Sequence, residues 1–202
     1  MSPDDALRRL LDGNDRFARG MAEQRTPDAA ARARLLDVQQ PFATVLGCSD
    51  ARVPPEMVFD QGLGDLFVVR VAGNVVAPEV LGSLGYALVH LQTPLFVVLG
   101  HERCGAVQAA LRALRGEGTE PGTLGLLLAD ILPALAGVDL QDAADVQVRH
   151  AVVSNVRGAV RQLAATPAGG EAIAAERIRI VGAVYDLGTG RVRVVDEAPP
   201  CR

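Results

Sequence analysis

Lysine and tryptophan are absent from this sequence of 202 residues, and aromatic side chains make up only 3% of it. All 20 basic residues are therefore arginines, and 24 acidic residues outnumber them, which gives a formal net charge of −4. The first 40 residues hold seven arginines and seven acids, so that end carries no basic arm. Without a basic surface, neither nucleic acid nor an anionic membrane is expected as a partner.

Cysteine is scarce as well, and long apolar runs are missing. Three cysteines cannot form a disulfide scaffold, and no stretch reaches the roughly 18 apolar residues of a transmembrane helix. The first residues carry acids and arginines where a signal peptide has an apolar core. We therefore expect a cytoplasmic protein with reduced thiols, in which paired cysteines bind a metal or take part in catalysis. Cys201, beside two prolines, is predicted to be an exposed bystander.

Length and composition predict a single domain over the whole chain, because a chain that is 49% hydrophobic can bury a sizeable core. We divide it into an N-terminal helical arm at 1–38 and an α/β core at 42–195. In the arm, Ser2-Pro3-Asp4-Asp5 is a helix-start signal, and Thr26-Pro27-Asp28 starts a second helix that runs to about Val38. The apolar stripe of the first helix is narrow, so we expect the N-terminal helices to pack on a dimer partner.

The core alternates short apolar runs with helical patterns. Residues 42–47, 66–71 and 95–100 are continuous apolar runs, which is typical of strands buried on both faces of a parallel sheet. Residues 177–185 and 191–195 alternate with a period of two around a turn, which predicts an antiparallel hairpin. The fold class is therefore α/β, with a central, mainly parallel sheet, an antiparallel edge strand and flanking helices. Helices are expected at 78–91, 105–115, 126–136 and 141–165, with a loop at 116–125 and a break at 165–170.

Two short polar segments follow predicted parallel strands. Cys48-Ser49-Asp50-Ala51-Arg52 follows the first strand, and His101-Glu102-Arg103-Cys104-Gly105 follows the third. Because open α/β sheets bind ligands at the carboxyl ends of their strands, we expect Cys48, His101 and Cys104 to lie side by side. Two thiolates and an imidazole suit Zn²⁺, and three protein ligands leave a fourth position open, as in catalytic zinc sites.

Asp50 and Arg52 extend this pattern beyond a set of ligands. Asp50 can fill the fourth zinc position or stand beside it, and Arg52 lies two residues further on, where it can pair with Asp50. Three other interpretations stay open at this point. They are a closed structural zinc site of two cysteines, a histidine and an aspartate, two buried cysteines without a metal, and a redox pair, which the lack of a CxxC motif disfavours.

The two segments resemble the signatures of the β-class carbonic anhydrases. The sequences CSDARVPPEMVFDQGLGDLFVVRVAGN at 48–74 and VVLGHERCGAV at 97–107 carry the CxDxR and HxxC patterns of that family. The resemblance extends to DALRRLLDGNDRFARG at 5–20 and IVGAVYDLGTGRV at 180–192, so it covers nearly the whole chain. It implies a zinc enzyme with one ion per subunit, which hydrates CO₂ reversibly to bicarbonate and a proton through a zinc-bound hydroxide.

Individual residue roles follow from this resemblance by position. It implies that Cys48, His101 and Cys104 are the zinc ligands and that Asp50 and Arg52 form a catalytic dyad, with Asp50 on the metal only in a closed form. The substrate pocket is implied to lie at the interface of a homodimer or a larger homo-oligomer. The substrate-binding residues of that pocket are expected to be Gln39, Phe67, Ala72, Tyr86 and Gly105.

The substrate and the regulation of such a site stay open. The same metal and dyad would serve a hydrolase of CS₂ or carbonyl sulfide, and the zinc of a non-catalytic protein would be structural. Family members with a regulatory bicarbonate site carry a tryptophan three residues before the first zinc cysteine, where this chain has Val45. Arg70, another position of that site, is present. We therefore predict that this form of inhibition by bicarbonate is absent or weak.

Overall fold

The computed structural model describes residues 1–23, 27–118 and 120–198, and it centres on a five-stranded sheet. The strands are β1 Ala43–Gly47, β2 Leu66–Arg70, β3 Leu95–His101, β4 Arg179–Tyr185 and β5 Val192–Glu197. They stand in the order β2-β1-β3-β4-β5. The pairs within β2-β1-β3-β4 are parallel, and β5 pairs antiparallel with β4. The predicted α/β class with an antiparallel edge strand is confirmed.

Helices flank this sheet, and shorter helical segments join them. The helices are α1 Pro3–Ala18, α2 Ala29–Ala33, α3 Pro55–Val58, α4 Pro78–Tyr86, α5 Gly105–Leu114, α6 Gly122–Ile131, α7 Ala144–Ala164 and α8 Pro167–Ala174. Short 3₁₀ segments lie at Ala72–Asn74 and Leu132–Leu135, and a π-helical turn lies at Ala87–Leu91. Within the described ranges, every helix is too short or too polar to cross a membrane.

Side chains of the central strands alternate between two apolar clusters on opposite faces of the sheet. In β3, Phe96 and Val98 belong to the cluster that also holds residues of α4 to α8. Leu95, Val97 and Leu99 belong to the other cluster, which α1 and α3 complete. Because both faces of β3 are buried, its sequence is a continuous apolar run without polar alternation.

The chain changes direction across the sheet at β1. From β1 it crosses to β2 on one side, and it then returns to form β3 on the other side. Connections that leave two neighbouring parallel strands in opposite directions open a crevice beyond their carboxyl ends. Gly47 at the end of β1 is in register with Leu99, so the residues after β1 and those that end β3 lie at this crevice.

The first helix packs on its own chain. Its buried Asn14 donates hydrogen bonds to the carbonyl oxygens of Val58 and Gly190 and accepts one from the N–H of Val192. Ala6 and Leu10 of its apolar stripe are buried in the cluster that α1 and α3 complete, whereas Leu7 and Leu11 are half-buried, so packing of α1 on a dimer partner stays a prediction. None of the five residues of α2 is buried, so a partner contact stays a prediction for that part of the arm.

The second helix of the arm is shorter than the sequence predicts. It ends at Ala33, five residues before Val38. Because α2 buries no side chain, tertiary packing does not prolong it, and an isolated helix of this length is marginal. The proposed start signal at Thr26 and the bystander Cys201 both lie outside the described residues.

Two helices were not predicted, because the prolines and glycines in their sequences are typical of loops. Thr166 caps α8 and Pro167 lies in its first turn, within the segment expected to be a break. Pro55 likewise lies in the first turn of α3, for which no helix was predicted. A third helix, α6, begins inside the loop predicted at 116–125. Proline in these segments starts helices, since the first turn needs no N–H at that position.

Gly13 marks a close approach between α1 and the turn after α3. A Cβ atom at this position would lie 1.9 Å from the carbonyl oxygen of Phe59, which belongs to the backbone. We expect Gly13→Ala to lower the free energy of unfolding by about 3 kcal/mol, as overpacking of a tight contact does. Gly82→Ala on α4, where the methyl group meets open space, is the control and should raise it by about 0.5 kcal/mol. Urea unfolding at one protein concentration measures both, and equal values would contradict this packing of α1.

Candidate metal centre

Three side chains of metal-binding type meet in the crevice between β1 and β3. Cys48 follows β1, His101 is the last residue of β3, and Cys104 directly precedes α5. Their ligand atoms all lie within 4.8 Å of one another, and all three residues are buried. The two sulfur atoms are 3.9 Å apart. The structure therefore brings together the three residues that the sequence predicted as a set.

The backbone fixes the orientation of the His101 ring. Its Nδ1 lies 2.9 Å from the carbonyl oxygen of Glu102, so we assign the ring proton to Nδ1 and the lone pair to Nε2. Nε2 is buried and has no hydrogen-bond partner among the described residues. A buried acceptor without a donor costs free energy, and a metal ion would remove that cost. The orphaned nitrogen therefore indicates a cation between the three side chains.

The two thiols hold their protons unequally. The hydrogen bond with Cys104 lowers the pKa of Cys48 well below its usual range. The same bond with Cys48 raises the pKa of Cys104 above its usual range, and burial raises it further. The pair thus holds one thiolate readily, and a cation bound between the sulfurs would replace the second proton.

The donor set fits zinc. Two sulfurs and an imidazole nitrogen match the ligand preference of Zn²⁺, whereas Mg²⁺ and Ca²⁺ require oxygen ligands. The backbone N–H of Gly73 lies 3.3 Å from the Cys48 sulfur, and such a hydrogen bond stabilises a metal-bound thiolate. Within the described part of the chain, the group consists of three residues. This number leaves the fourth position of a tetrahedron for water or substrate.

Asp50 and Arg52 form a two-pronged ion pair beside this cluster. Arg52 Nε donates to Asp50 Oδ1 at 2.9 Å, Nη2 donates to Oδ2 at 2.7 Å, and the Arg52 backbone N–H adds a third bond at 2.9 Å. These bonds hold the pKa of Asp50 well below its usual range, so the carboxylate stays charged at neutral pH. Asp50 Oδ2 is 3.8 Å from His101 Nε2, which places the carboxylate at the rim of the metal position.

Arg70, at the end of β2, holds the backbone of the segment that carries Cys48 and Asp50. Its guanidinium donates to the carbonyl oxygens of these two residues, at 2.9 Å and 2.6 Å. The sequence analysis linked Arg70 only to a regulatory site. Arg70 ends the strand beside β1, and this position in the sequence could have predicted its contact with the segment that follows β1. Val45 is buried in the apolar cluster on the α1 face, and the absence of bicarbonate inhibition stays a prediction.

The five predicted substrate-binding residues lie in different surroundings. Phe67 and Tyr86 stack with ring centroids 6.2 Å apart, and Tyr86 is 46% exposed. Ala72 precedes the glycine that contacts the Cys48 sulfur, and Gly105 follows Cys104 with open space in front of it. Gln39 is exposed ahead of β1 and makes no hydrogen bond to another described residue. Of the five, Gly105 therefore adjoins a residue of the cluster, and Ala72 adjoins the glycine that is hydrogen-bonded to the cluster. Gln39 has no such link to the cluster.

Fold and site together define an α/β protein with a buried cluster of two sulfurs and one nitrogen that could hold a metal ion, at the point where the strand order reverses. A family model described as "Carbonic anhydrase" matches residues 43–192, which span both signature segments. The chain therefore belongs to the β-class carbonic anhydrase family, as its two signatures predicted.

Curated relatives support this assignment over nearly the full length. "Carbonic anhydrase 2" of Mycobacterium tuberculosis is 39% identical over 204 residues, an alignment that covers 96% of this chain and 94% of the relative. A carbonic anhydrase of Mycolicibacterium smegmatis is 41% identical over 199 residues, with 96% and 93% covered. The prediction of a carbonic anhydrase is confirmed at this level.

Solved structures support the fold. One of two tetrameric β-carbonic anhydrases from Sordaria macrospora has a TM-score of 0.74 and 26% identity, and the match covers 96% of this chain and all of the other. The β-carbonic anhydrase of Coccomyxa, solved with acetazolamide, also has a TM-score of 0.74 and 26% identity, with 94% and 86% covered.

The clamp formed by Arg70 gives a test of how the ligand segment is held. We expect Arg70→Met to lower the free energy of unfolding by about 2 kcal/mol, because two carbonyl oxygens lose a charged donor. Arg193→Met is the matched control, since Arg193 is an exposed residue of β5 whose side chain makes no hydrogen bond to another described residue. Urea unfolding measures both variants. The same small change in both would show that the clamp contributes nothing to stability.

Proposed function

We propose that this protein catalyses the reversible hydration of CO₂ to bicarbonate and a proton, with a zinc ion held by Cys48, His101 and Cys104. The observation that carries the proposal is the buried convergence of these three side chains around an unpartnered Nε2. The ion pair of Asp50 and Arg52 at the rim adds the charged group that a purely structural site does not need. Membership of the β-carbonic anhydrases supports the same reaction.

The chemistry divides between the metal and the ion pair. A zinc ion bound here would act as a Lewis acid that lowers the pKa of water toward about 7, and thiolate ligands would leave it less acidic than imidazoles do. Asp50, as a carboxylate, can only accept hydrogen bonds. It can therefore accept a hydrogen bond from the hydroxide that attacks CO₂. A lone pair on the hydroxide oxygen is then free to face CO₂. Arg52 keeps Asp50 ionised and holds it back from the ligand cluster.

Around this centre we assign a pocket that accommodates CO₂ and releases bicarbonate. Phe67, Ala72, Tyr86 and Gly105 form its walls, and Gln39 donates a hydrogen bond to a substrate oxygen. The stack of half-buried Phe67 with exposed Tyr86 supports a wall that a second copy of the chain completes, in a homodimer or a larger homo-oligomer. The exposed position of Gln39 in the single chain is consistent with a site that is complete only in the assembly.

The organisation of the chain enters the proposal too. Residues 1–202 would act as a single domain, in which 1–38 form the arm and 42–195 the core. The packing of α1 against α3 and β5 supports one unit rather than two. We propose the cytoplasm as the compartment, because a thiolate zinc site needs reduced cysteines.

Stopped-flow CO₂ hydration between about pH 6.5 and 9, on protein of measured zinc content, tests the function. We expect turnover that depends on zinc and rises with pH. Full zinc content without turnover would contradict the proposal. Assays with carbonyl sulfide and CS₂ would then separate a hydrolase of sulfur substrates from a structural zinc protein, and a closed site with Asp50 on the metal would be inactive toward all three.

The role of Asp50 is tested by a substitution that keeps its shape. Asp50→Asn replaces an obligatory acceptor by a group that also donates, so we expect kcat to fall by about 100-fold or more while zinc content stays unchanged. Asp145→Asn is the matched control, because Asp145 forms an exposed ion pair with Arg149 on α7. It should leave kcat unchanged. Unchanged kcat in Asp50→Asn would exclude the proposed role.

A further inference from the structure

The sulfur of Cys48 receives a hydrogen bond from a residue that belongs to neither the CxDxR nor the HxxC pattern. The donor is the backbone N–H of Gly73, 3.3 Å away, in the 3₁₀ turn Ala72–Asn74 that follows β2. Gly73 has φ +68, and a Cβ atom at this position would lie 2.7 Å from Ile131 Cδ1. The donor is a backbone group, so no change of side-chain rotamer can redirect it. The direction of the N–H toward the sulfur therefore depends on the conformation of the turn.

A buried asparagine binds the carbonyl group of the same glycine. Asn155, on α7, donates its Nδ2 hydrogen to the carbonyl oxygen of Gly73 at 2.8 Å, and only 5% of Asn155 is exposed. Gly73 is thus bound at both ends, since its carbonyl accepts from the helix and its N–H donates to the sulfur. Burial of an amide costs free energy unless the amide is hydrogen-bonded, and an apolar side chain would cover the same surface at a lower cost. The buried amide therefore points to a role for its hydrogen bond.

Glycines allow α7 to pack closely on the sheet, and a close contact on its other side leaves it no room to move away. A Cβ atom on Gly100 of β3 would lie 2.5 Å from Val156 Cγ2, and one on Gly182 of β4 would lie 2.7 Å from Val156 Cγ1. On the far side, a Cβ atom on Gly158 would lie 2.7 Å from Ala134 Cβ. Val156, the residue after Asn155, thus packs against β3 and β4, and β3 ends in His101 of the cluster. The position of the amide is therefore set by the core.

We propose that Asn155 is a positioning residue for the metal centre, which acts through Gly73 to aim a backbone hydrogen bond at the Cys48 sulfur. The proposal rests on the function proposed above, in that Cys48 is a zinc ligand. Without the amide, the turn loses the hydrogen bond that fixes the Gly73 carbonyl, so the direction of the Gly73 N–H toward the sulfur is no longer held. The thiolate then loses a donor that stabilises its charge, and it holds the metal less tightly.

Metal affinity tests this proposal without any measurement of CO₂ turnover. We expect Asn155→Leu to weaken zinc binding by about 10- to 100-fold in competition with a chromophoric chelator. In the Co²⁺-substituted protein, the sulfur-to-cobalt charge-transfer band should shift, because the sulfur has lost a hydrogen bond. Asn155→Asp replaces the donor by an acceptor that faces the Gly73 carbonyl oxygen, so it should weaken zinc binding at least as much.

Asn14→Leu is the matched control. Asn14 is also a buried asparagine that bonds backbone groups, but its partners are Val58, Gly190 and Val192 on the α1 face. We expect this variant to lower the free energy of unfolding and to leave the zinc affinity and the cobalt spectrum unchanged. If Asn155→Leu behaves like Asn14→Leu in all three measurements, Asn155 is a structural residue and the proposal is overturned.

A measurement on the unmutated chain keeps the proposal testable if the variants fail to fold. In protein loaded with ¹¹³Cd²⁺, a hydrogen bond from Gly73 N–H to the metal-bound sulfur should give a scalar coupling between that amide proton and the metal. Its absence would contradict the proposal. A chain that binds zinc but does not hydrate CO₂ would refute the proposed function and leave the role of Asn155 testable, whereas a chain that binds no zinc would overturn both.

Discussion

The parallel pairing of β1 with β3 is the constraint on which the site depends. It sets the residues that follow one strand beside those that end the other, although Cys48 and His101 are far apart in sequence. Both strands are buried on both faces. A slip of one residue in their register would turn every apolar side chain to the opposite cluster, which the packing forbids. The geometry of the ligands is therefore enforced by the apolar core rather than by the ligands themselves.

Burial of the cluster creates an electrostatic demand that the surroundings meet. A thiolate and a carboxylate sit close together in a crevice, and each needs donors to remain charged there. Gly73 supplies one to the Cys48 sulfur, and Arg52 supplies three to Asp50. Arg70 adds positive charge on the backbone between them. Arg52 binds the carboxylate and Arg70 binds backbone carbonyls, whereas Nε2 of His101 and the two sulfurs lie within 4.8 Å of one another.

Sequence reasoning succeeded where side-chain chemistry and apolar runs carry the information. The cluster of Cys48, His101 and Cys104, the ion pair and the five strands were predictable, because thiols, imidazole and continuous burial each leave a distinct pattern. Asn155 left none, since an asparagine in a helix has no distinctive spacing and its partner is a backbone carbonyl. Helices α3 and α8 were missed for the opposite reason, because their prolines suggest loops. The substrate-binding role of Gln39 stays a prediction, because its side chain is exposed in the single chain.

The ring of His101 is oriented by a carbonyl oxygen, and that oxygen belongs to the main chain of Glu102. Every amino acid offers the same atom at this place, so the contact does not constrain which side chain stands there. The N–H of Gly73 supports the Cys48 sulfur in the same manner, as a peptide group. The residue at position 102 can therefore change while the ring of His101 keeps its orientation, and its side chain is free to meet other demands, such as contact with solvent or with neighbouring molecules.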